Sequence, residues 1–209
     1  MKTIYLVRHG QTNSNAESLV QDASSQLSEK GLRQAETLAE RLRHLSFSNL
    51  LVSDYVRTRQ TIAPLLPHIG IEPLYTPLLR ETKRPTQYIG AHQESTEYHS
   101  YLDAADANIT DPTWHLEDEE NFHDVVARVQ KFFAHIDTLE GDTVAVSHGR
   151  YIIYIMMYVI MGGNLTPAVW LEAVHHFKTI NTGITVLQFD EKYNHWLLRT
   201  FNDHAHFAE

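Results

Sequence analysis

Apolar and polar positions alternate in blocks that predict strands and helices in turn. Residues 3–7 form a short apolar run rich in β-branched side chains, as is typical of a buried strand. Ser28 can then cap a helix whose apolar residues recur at steps of three and four. These residues are Leu32, Ala35, Leu38, Ala39, Leu42 and Leu45. The opening of the chain therefore predicts a strand followed by an amphipathic helix, in which Gly31 is a small cost.

The same alternation continues to about residue 75. The pattern predicts a strand at 49–53, a helix from Arg57 toward Leu66 and a third strand at 71–75. Pro64 should kink or shorten that helix because proline cannot donate the backbone hydrogen bond of a helix interior.

Regular patterning returns at residue 122 and lasts to the end of the chain. The clearest amphipathic helix covers 122–136, and a strand at 143–147 precedes an apolar helix at 150–161. Thr166-Pro167 predicts another helix start, and residues 182–189 and 195–201 read as a hairpin. Strands that alternate with helices predict an α/β fold with three layers, α/β/α, around a mostly parallel central sheet.

Residues 82–120 lack this periodicity and form a predicted inserted lid. The segment holds Pro85, Pro112 and the acidic run 117–120, which we expect to be a solvated face. A short helix is expected at 94–105, and a stretch this long inside a compact domain is usually functional. With 209 residues, the chain is expected to form one domain, 1–209, that includes this lid.

Composition restricts the partners. The formal net charge of −9 argues against nucleic-acid or acidic-membrane binding, so an anionic substrate would need a local cationic pocket. No cysteine is present, and residues 151–161 are only about half of a membrane span. The first apolar run is too short for a signal peptide, so we expect a cytoplasmic protein. The oligomeric state stays open, with a homodimer as one candidate.

Polar side chains follow the predicted strands at their carboxyl ends, where open α/β sheets bind ligands. The first predicted strand is followed by Arg8, His9, Gly10, Thr12 and Asn15, and the second by Ser53, Asp54 and Arg57. The third is followed by Arg80 and Glu81, and the fourth by His148 and Gly149. Two imidazoles, several guanidiniums and one acid should therefore converge on one rim of the sheet.

This set of groups suits phosphoryl transfer. A neutral imidazole can attack phosphorus, and planar guanidiniums match the charged equatorial oxygens of a transferring phosphoryl group. A second, protonated imidazole would donate to the same oxygens, and a carboxylic acid would protonate the leaving oxygen. Glycine after each histidine allows close backbone approach. A competing metal site at His9 and His148 is disfavoured because Arg8 and Arg57 would repel a cation. His175 and His176, as neighbours on a helix, would point to different faces, and His204 with His206 lack a third ligand nearby.

Four segments in order resemble the histidine phosphatase superfamily, also called the phosphoglycerate mutase-like family. They read "LVRHGQTNSN", "SDYVRTRQT", "LLRE" and "VAVSHG", and the later "ENFHDVVARVQKFF" and "NTGITVLQFD" are similar to segments of the same family. The resemblance implies that His9 becomes phosphorylated, that Arg8, Arg57 and His148 hold the phosphoryl group, and that Glu81 is the proton donor. It implies no metal and no organic cofactor.

The resemblance also implies a pocket edge. Asn15 would lie there, although a helix cap is its alternative role, and Gln11, Thr12 and Gly149 would line the pocket. For Glu81 the alternative is a surface ion pair with its neighbour Arg80.

The segment "RETKRPTQYIG" departs from many broad phosphatases of the family, which carry a "WEG"-like stretch after the acid. Family substrates therefore do not transfer to this chain, and Lys83 and Arg84 could contact a second anionic group. The leading hypothesis is a phosphatase that hydrolyses phosphomonoesters of a small metabolite. One alternative is a phosphoglycerate mutase, although the lid lacks the "ERHYG"-like pattern of mutases that depend on bisphosphoglycerate; another is a non-catalytic regulatory protein that binds a phosphate ligand.

Overall fold

A mixed six-stranded sheet forms the centre of the computed structural model, which describes residues 2–207. The strands are β1 (Thr3–Arg8), β2 (Asn49–Ser53), β3 (Leu74–Thr76), β4 (Thr143–Ser147), β5 (Ile184–Asp190) and β6 (His195–Asp203). Their spatial order is β3-β2-β4-β1-β5-β6. β3, β2, β4 and β1 pair in parallel, whereas β5 runs antiparallel to both β1 and β6. The mostly parallel sheet predicted from the sequence is confirmed.

Seven α-helices accompany the sheet within the described residues. They are α1 (Asn13–Ala16), α2 (Glu29–Leu42), α3 (Val56–Ile62), α4 (Thr96–Ala107), α5 (Phe122–Thr138), α6 (Gly149–Ile160) and α7 (Pro167–Val174). Short 3-10 turns lie at Leu66–His68, Pro77–Leu79, Thr86–Tyr88 and Ala205–Phe207.

Two apolar cores lie on opposite faces of the sheet, because successive side chains of a strand point to opposite sides. In β1, Val7 packs with Leu38 and Leu42 of α2 on one face. Its neighbour Leu6 packs on the other face with the core of α5 and α6. This arrangement confirms the three-layer α/β/α architecture.

Three sequence predictions differ from the structure in detail. The third strand is Leu74–Thr76 rather than 71–75 and lies at the edge of the sheet. Helix α3 ends at Ile62 instead of continuing toward Leu66, so it stops before Pro64, in agreement with the shortening predicted for that proline. Leu32, one of the periodic apolar residues of α2, has 47% of its surface exposed instead of facing the core.

The segment 82–120 holds the Thr86–Tyr88 turn and α4, two residues later than the helix expected at 94–105. Tyr98 and Tyr101 of α4 form a separate small core with Val20 of the loop after α1. Backbone hydrogen bonds join the same loop to the lid, from Val20 N to the Ala91 carbonyl (2.9 Å) and from Gly90 N to the Val20 carbonyl (2.9 Å). The lid therefore rests on the loops that follow β1.

The acidic run 117–120 is the solvated face expected from the sequence only in part: Glu117 and Asp118 are exposed, whereas Glu119 and Glu120 are not. Asp118 pairs with Lys83 at 2.9 Å, Glu120 pairs with Arg128 at 2.7 Å, and Glu119 is buried. The reason is that the surrounding segments carry the cations and donors that these carboxylates bind, which charge patterning along the chain does not reveal.

The apolar helix α6 is part of the core, with eight of its residues buried. None of the helices in the described part of the chain has the length and hydropathy of a membrane span.

Gly31 is required by close packing, not merely tolerated. A Cβ atom at Gly31 would lie 2.0 Å from the carbonyl oxygen of Gln11, because the start of α2 abuts the loop that follows β1. The backbone N–H of Ser28 also donates to that carbonyl, at 2.8 Å.

We therefore expect Gly31→Ala to lower the free energy of unfolding by about 1–3 kcal/mol, as overpacking of a tight contact does. Gly70→Ala is the matched control, since nothing lies within 4 Å of its Cβ position. Urea denaturation of both variants measures the difference. Equal free energies of unfolding for Gly31→Ala and wild type would show that the loop moves aside with no loss of stability.

Candidate active site

A cleft of about 930 Å³ opens at the carboxyl ends of β1, β2 and β4. Seven residues predicted from the sequence line it: Arg8, His9, Gln11, Asn15, Arg57, Glu81 and Gly149. Thr12 and His148 do not. Lid and loop residues close its sides, among them Lys83, Arg84, Tyr98 and Phe177.

His9 presents one ring nitrogen to this cleft in a defined tautomer. Its Nδ1 lies 2.7 Å from the carbonyl oxygen of Gly10. A carbonyl oxygen only accepts, so Nδ1 carries the hydrogen and Nε2 keeps its lone pair. Burial, together with the charges of Arg57 and Arg8, holds the pKa of His9 well below its usual range. The ring is therefore neutral, and Nε2 has no hydrogen-bond partner in residues 2–207.

Arg57 is buried and Arg8 half-buried beside His9, and each donates to a backbone carbonyl. Arg8 Nη1 donates to the Thr179 carbonyl. Arg57 Nη1 donates to the Asp22 carbonyl at 2.7 Å. Burial lowers the pKa of Arg57 to about 10, which still leaves it charged at neutral pH. In each arginine, Nη2 has no protein partner in the described chain and is not among the buried unsatisfied atoms.

His148 lies behind this group and is neutral, contrary to the sequence prediction of a protonated ring. Arg57 Nε donates to its Nδ1 at 3.2 Å, which makes Nδ1 an acceptor. Its Nε2 therefore carries the hydrogen and donates to Ser53 Oγ at 2.8 Å. Burial first, and then the charge of Arg57, holds the pKa of His148 well below its usual range. Its ring centroid is 5.1 Å from that of His9.

Glu81 is not in a surface ion pair with Arg80. The Arg80 guanidinium binds both carboxylate oxygens of Asp54, at 2.7 and 2.6 Å. Glu81 turns into the cleft, and its carboxylate accepts the backbone N–H groups of Arg150 (3.2 Å) and Tyr151 (3.0 Å) in the first turn of α6. A helix N-terminus is a favourable place for a carboxylate, so α6 fixes Glu81 beside the cleft.

Arg128 of α5 holds the turn that carries Glu81. Its guanidinium donates to the carbonyls of Arg80 (2.7 Å) and Leu78 (3.3 Å) and binds both oxygens of Glu120 (2.8 and 2.7 Å). Glu120 in turn accepts the backbone N–H of Lys83 at 3.0 Å. One half-buried ion pair thus fixes residues 78–83 on both sides of Glu81.

Thr12 and Asn15 both lie in the segment after β1, but their side chains have different roles. Thr12 is buried and caps α1, with its Oγ1 accepting from Asn15 N at 3.0 Å. Asn15 completes this capping box and also lines the cleft, so both of its predicted roles hold geometrically. Thr12 is therefore a structural residue and not part of the cleft wall as expected.

Gly149 allows Arg8 to approach α6. A Cβ at this position would lie 2.8 Å from Thr179 Oγ1 and 3.2 Å from Arg8 Nε. Asn181, which the sequence analysis missed, donates to the His9 carbonyl at 2.9 Å and approaches Asn15 Oδ1 at 3.5 Å. Its segment "NTGITVLQFD" resembled the family, but no pattern indicated that its asparagine reaches His9.

The cleft is cationic although the chain is acidic. Its lining contains six cations and two carboxylates. The cations are Arg8, Arg57, Lys83, Arg84, Arg150 and Lys178, and the carboxylates are Asp22 and Glu81. The cleft therefore provides the local positive field that an anionic substrate requires against a net charge of −9.

The two buried neutral imidazoles should make the fold sensitive to acid. Below pH 6.5 they take up protons in the unfolded chain but not in the native one, so stability falls as the pH drops toward their native pKa. Each should contribute a slope of about 1.4 kcal/mol per pH unit.

Between pH 6 and pH 5, we expect the free energy of unfolding of His148→Gln to fall by about 1.4 kcal/mol less than that of wild type, because one buried imidazole is absent. His68→Gln, at an exposed position, is the control, and His206, whose pKa burial lowers to about 4, contributes equally to all three proteins. Urea denaturation in phosphate-free buffers measures the slopes. The same slope in His148→Gln and wild type would contradict a neutral buried ring.

Two solved structures share the fold of this chain. The glucosyl-3-phosphoglycerate phosphatase of a mycobacterium, solved in complex with VO3, superposes with a TM-score of 0.80 at 26% identity, covering 97% of this chain and 99% of that one. A putative alpha-ribazole-5'-P phosphatase from Escherichia coli K-12 has a TM-score of 0.77 at 22% identity, covering 97% of this chain and 98% of that one.

Among curated proteins, the probable phosphoglycerate mutase GpmB of Enterobacter sp. (strain 638) is 43% identical over 82 residues. The aligned stretch is 39% of this chain and 38% of that protein. The profile of the histidine phosphatase superfamily (branch 1) matches residues 4–204. With nearly the whole chain matched, the protein belongs to the histidine phosphatase superfamily.

Proposed function

We propose that this protein is a phosphatase that hydrolyses phosphomonoesters of a small metabolite through a phosphohistidine at His9. The observation that carries the proposal is the state of His9: a neutral ring with Nδ1 bound to the Gly10 carbonyl and Nε2 free at a cationic cleft. A lone pair on a fixed ring, with two guanidiniums beside it, is the arrangement that nucleophilic attack on phosphorus requires.

In the first step, Nε2 of His9 forms a bond to phosphorus while the ester oxygen leaves. Glu81, as the carboxylic acid, gives its proton to that oxygen, and the alcohol departs. The Gly10 carbonyl accepts from Nδ1–H and stabilises the positive charge that the ring acquires as the N–P bond forms.

In the second step, water attacks phosphorus and the N–P bond breaks, which returns the electron pair to Nε2. Glu81, now a carboxylate, takes a proton from the water, and inorganic phosphate leaves. Each group thereby returns to its starting state.

The free Nη2 groups of Arg8 and Arg57 would bind the equatorial oxygens throughout. A phosphate dianion in the cleft would also oppose the charge of Arg57 and favour the protonated ring of His148, so Nδ1, which accepts from Arg57 Nε, would gain a proton only with substrate bound. We propose that no metal takes part, because these buried guanidiniums would repel a cation at the reaction centre.

The size of the substrate follows from the cleft. A volume of about 930 Å³ accommodates a small metabolite and still leaves room for water. The similar solved proteins are named as phosphatases of phosphorylated small molecules, which supports this class of substrate without identifying the molecule.

We expect His9→Ala to lower the turnover of a generic aryl phosphate at least about a thousandfold, because the covalent route is lost. The variant should also lose acid-labile labelling by a radioactive phosphate ester. His68→Ala is the control for loss of an imidazole away from the cleft, and EDTA in every assay restricts the measurement to metal-independent turnover. Retained hydrolysis in His9→Ala would refute the mechanism.

Vanadate titration distinguishes a phosphatase from a non-catalytic regulatory protein that binds a phosphate ligand. Tight vanadate binding by wild type without turnover on any ester of a broad panel would identify a non-catalytic phosphate-binding protein.

The curated relatives named as phosphoglycerate mutases make a mutase the second candidate. A mutase must keep water from the phosphoenzyme, whereas the cleft here has room for water beside a small ester. With 3-phosphoglycerate as substrate, we therefore expect release of inorganic phosphate to exceed formation of 2-phosphoglycerate. Phosphorus NMR measures both products, and predominant isomerisation would establish the mutase.

A further inference from the structure

Two arginines of the cleft, Arg84 and Arg150, have no role in the proposed phosphoryl transfer. Arg84 Nη1 donates to the Tyr101 hydroxyl at 3.1 Å, its one side-chain hydrogen bond within the described chain. The Arg150 guanidinium makes no hydrogen bond within residues 2–207 and lies 5.3 Å from the centre of the Trp170 ring. Neither guanidinium forms a salt bridge with a carboxylate of the described chain.

The other two cations of the cleft differ from this pair. Lys83 is paired with Asp118 at 2.9 Å, so its charge is already balanced. Lys178 is exposed at the cleft mouth, where water solvates it. Arg84 and Arg150 are therefore the half-buried cations of this part of the cleft that lack direct balance by a carboxylate.

Arg84 and Arg150 line the same cleft, and like charges in one cleft repel each other. Burial, and then the charge of Arg84, lowers the pKa of Arg150. Glu119 is connected to Arg84 only through Tyr101, whose hydroxyl accepts from Arg84 and donates to Glu119. An anion held between the guanidiniums would relieve this repulsion.

The position of the pair indicates which part of a substrate it would contact. Arg84 follows Glu81 by three residues, and the backbone N–H of Arg150 donates to Glu81 Oε2 at 3.2 Å. Because Glu81 is the group proposed to protonate the leaving oxygen, the side of the cleft next to it receives the alcohol part of the ester. Ile153 and Phe177 line the same cleft and offer apolar contact to a carbon chain.

On the basis of the proposed function, we propose that Arg84 and Arg150 form a second anion site, which binds a carboxylate or phosphate on the alcohol part of the substrate. The substrate class is then a small phosphomonoester with two anionic groups, joined by a short carbon chain. Guanidiniums suit both anions because their paired donors match the oxygens of either one.

The test compares esters that differ only in the second anion. Carboxyalkyl phosphates with two to four methylenes are assayed beside alkyl phosphates of equal length, and alkyl bisphosphates of the same lengths distinguish a second phosphate from a carboxylate. The ratio of kcat/KM within each pair is the measure. Wild type should favour one of the doubly anionic series by about tenfold or more, as expected for roughly 1.4 kcal/mol of added binding.

In Arg84→Met/Arg150→Met, this ratio should fall to near one. Lys178→Met removes one exposed charge from the cleft and should change the ratio less than threefold. A double variant that retains the wild-type ratio would overturn the proposal, as would a wild type with no preference at any chain length.

Binding separates this proposal from the mechanism at His9. Calorimetry with the matching carboxyalkyl and alkyl phosphonates, which have no ester bond to hydrolyse, should show the same preference in wild type and its loss in the double variant. If this preference is found and no ester is hydrolysed, the phosphatase proposal fails while the second anion site stands. If esters are hydrolysed and neither the kcat/KM ratio nor the affinity depends on the second anion, the phosphatase proposal stands and the second anion site fails.

Discussion

The packing of two guanidiniums against two buried imidazoles is the constraint on which the candidate site depends. His9 and His148 stay neutral because both rings are buried and because the charges of Arg57 and Arg8 lie beside them. Neutrality then fixes their hydrogen-bonding roles, because a neutral imidazole has one donor and one acceptor nitrogen. The Gly10 carbonyl and Arg57 Nε determine which nitrogen is which. The same charges that would attract a phosphate thus prepare the nucleophile.

This arrangement is costly, and the rest of the fold provides the rigidity that maintains it. Parallel pairing brings the ends of β1, β2 and β4 together. Backbone carbonyls of Thr179 and Asp22 accept guanidinium donors of Arg8 and Arg57, and neither arginine forms a salt bridge with a carboxylate of the described chain. Gly31 and Gly149 allow chain segments to approach more closely than a Cβ atom permits. These contacts come from distant parts of the sequence, so the site exists only in the folded protein.

Prediction from the sequence was most successful where chemistry follows a buried strand. The strand ends carry Arg8, His9, Arg57 and Glu81, and parallel pairing makes their meeting a consequence of topology. It was wrong where a residue's role depends on a partner far along the chain. The neutral ring of His148 depends on Arg57 and Ser53, and the acidic run 117–120 binds Lys83 and Arg128. The contact between Asn181 and His9 was missed for the same reason. Long-range pairs of this kind leave no periodic signal in the sequence.

The clamp formed by Arg128 and Glu120 has a consequence for how such a protein can diversify. It immobilises a single short turn, 78–83, which carries Glu81 and leads directly into Arg84. Glu81 and Arg84, the first residue on the lid side of the cleft, thus belong to one rigid stretch of backbone. An insertion or deletion in this turn would displace both together, whereas a side-chain replacement at position 84 leaves the backbone clamp in place. Point substitution, rather than loop remodelling, is therefore the route by which this region can change its ligand and keep its acid.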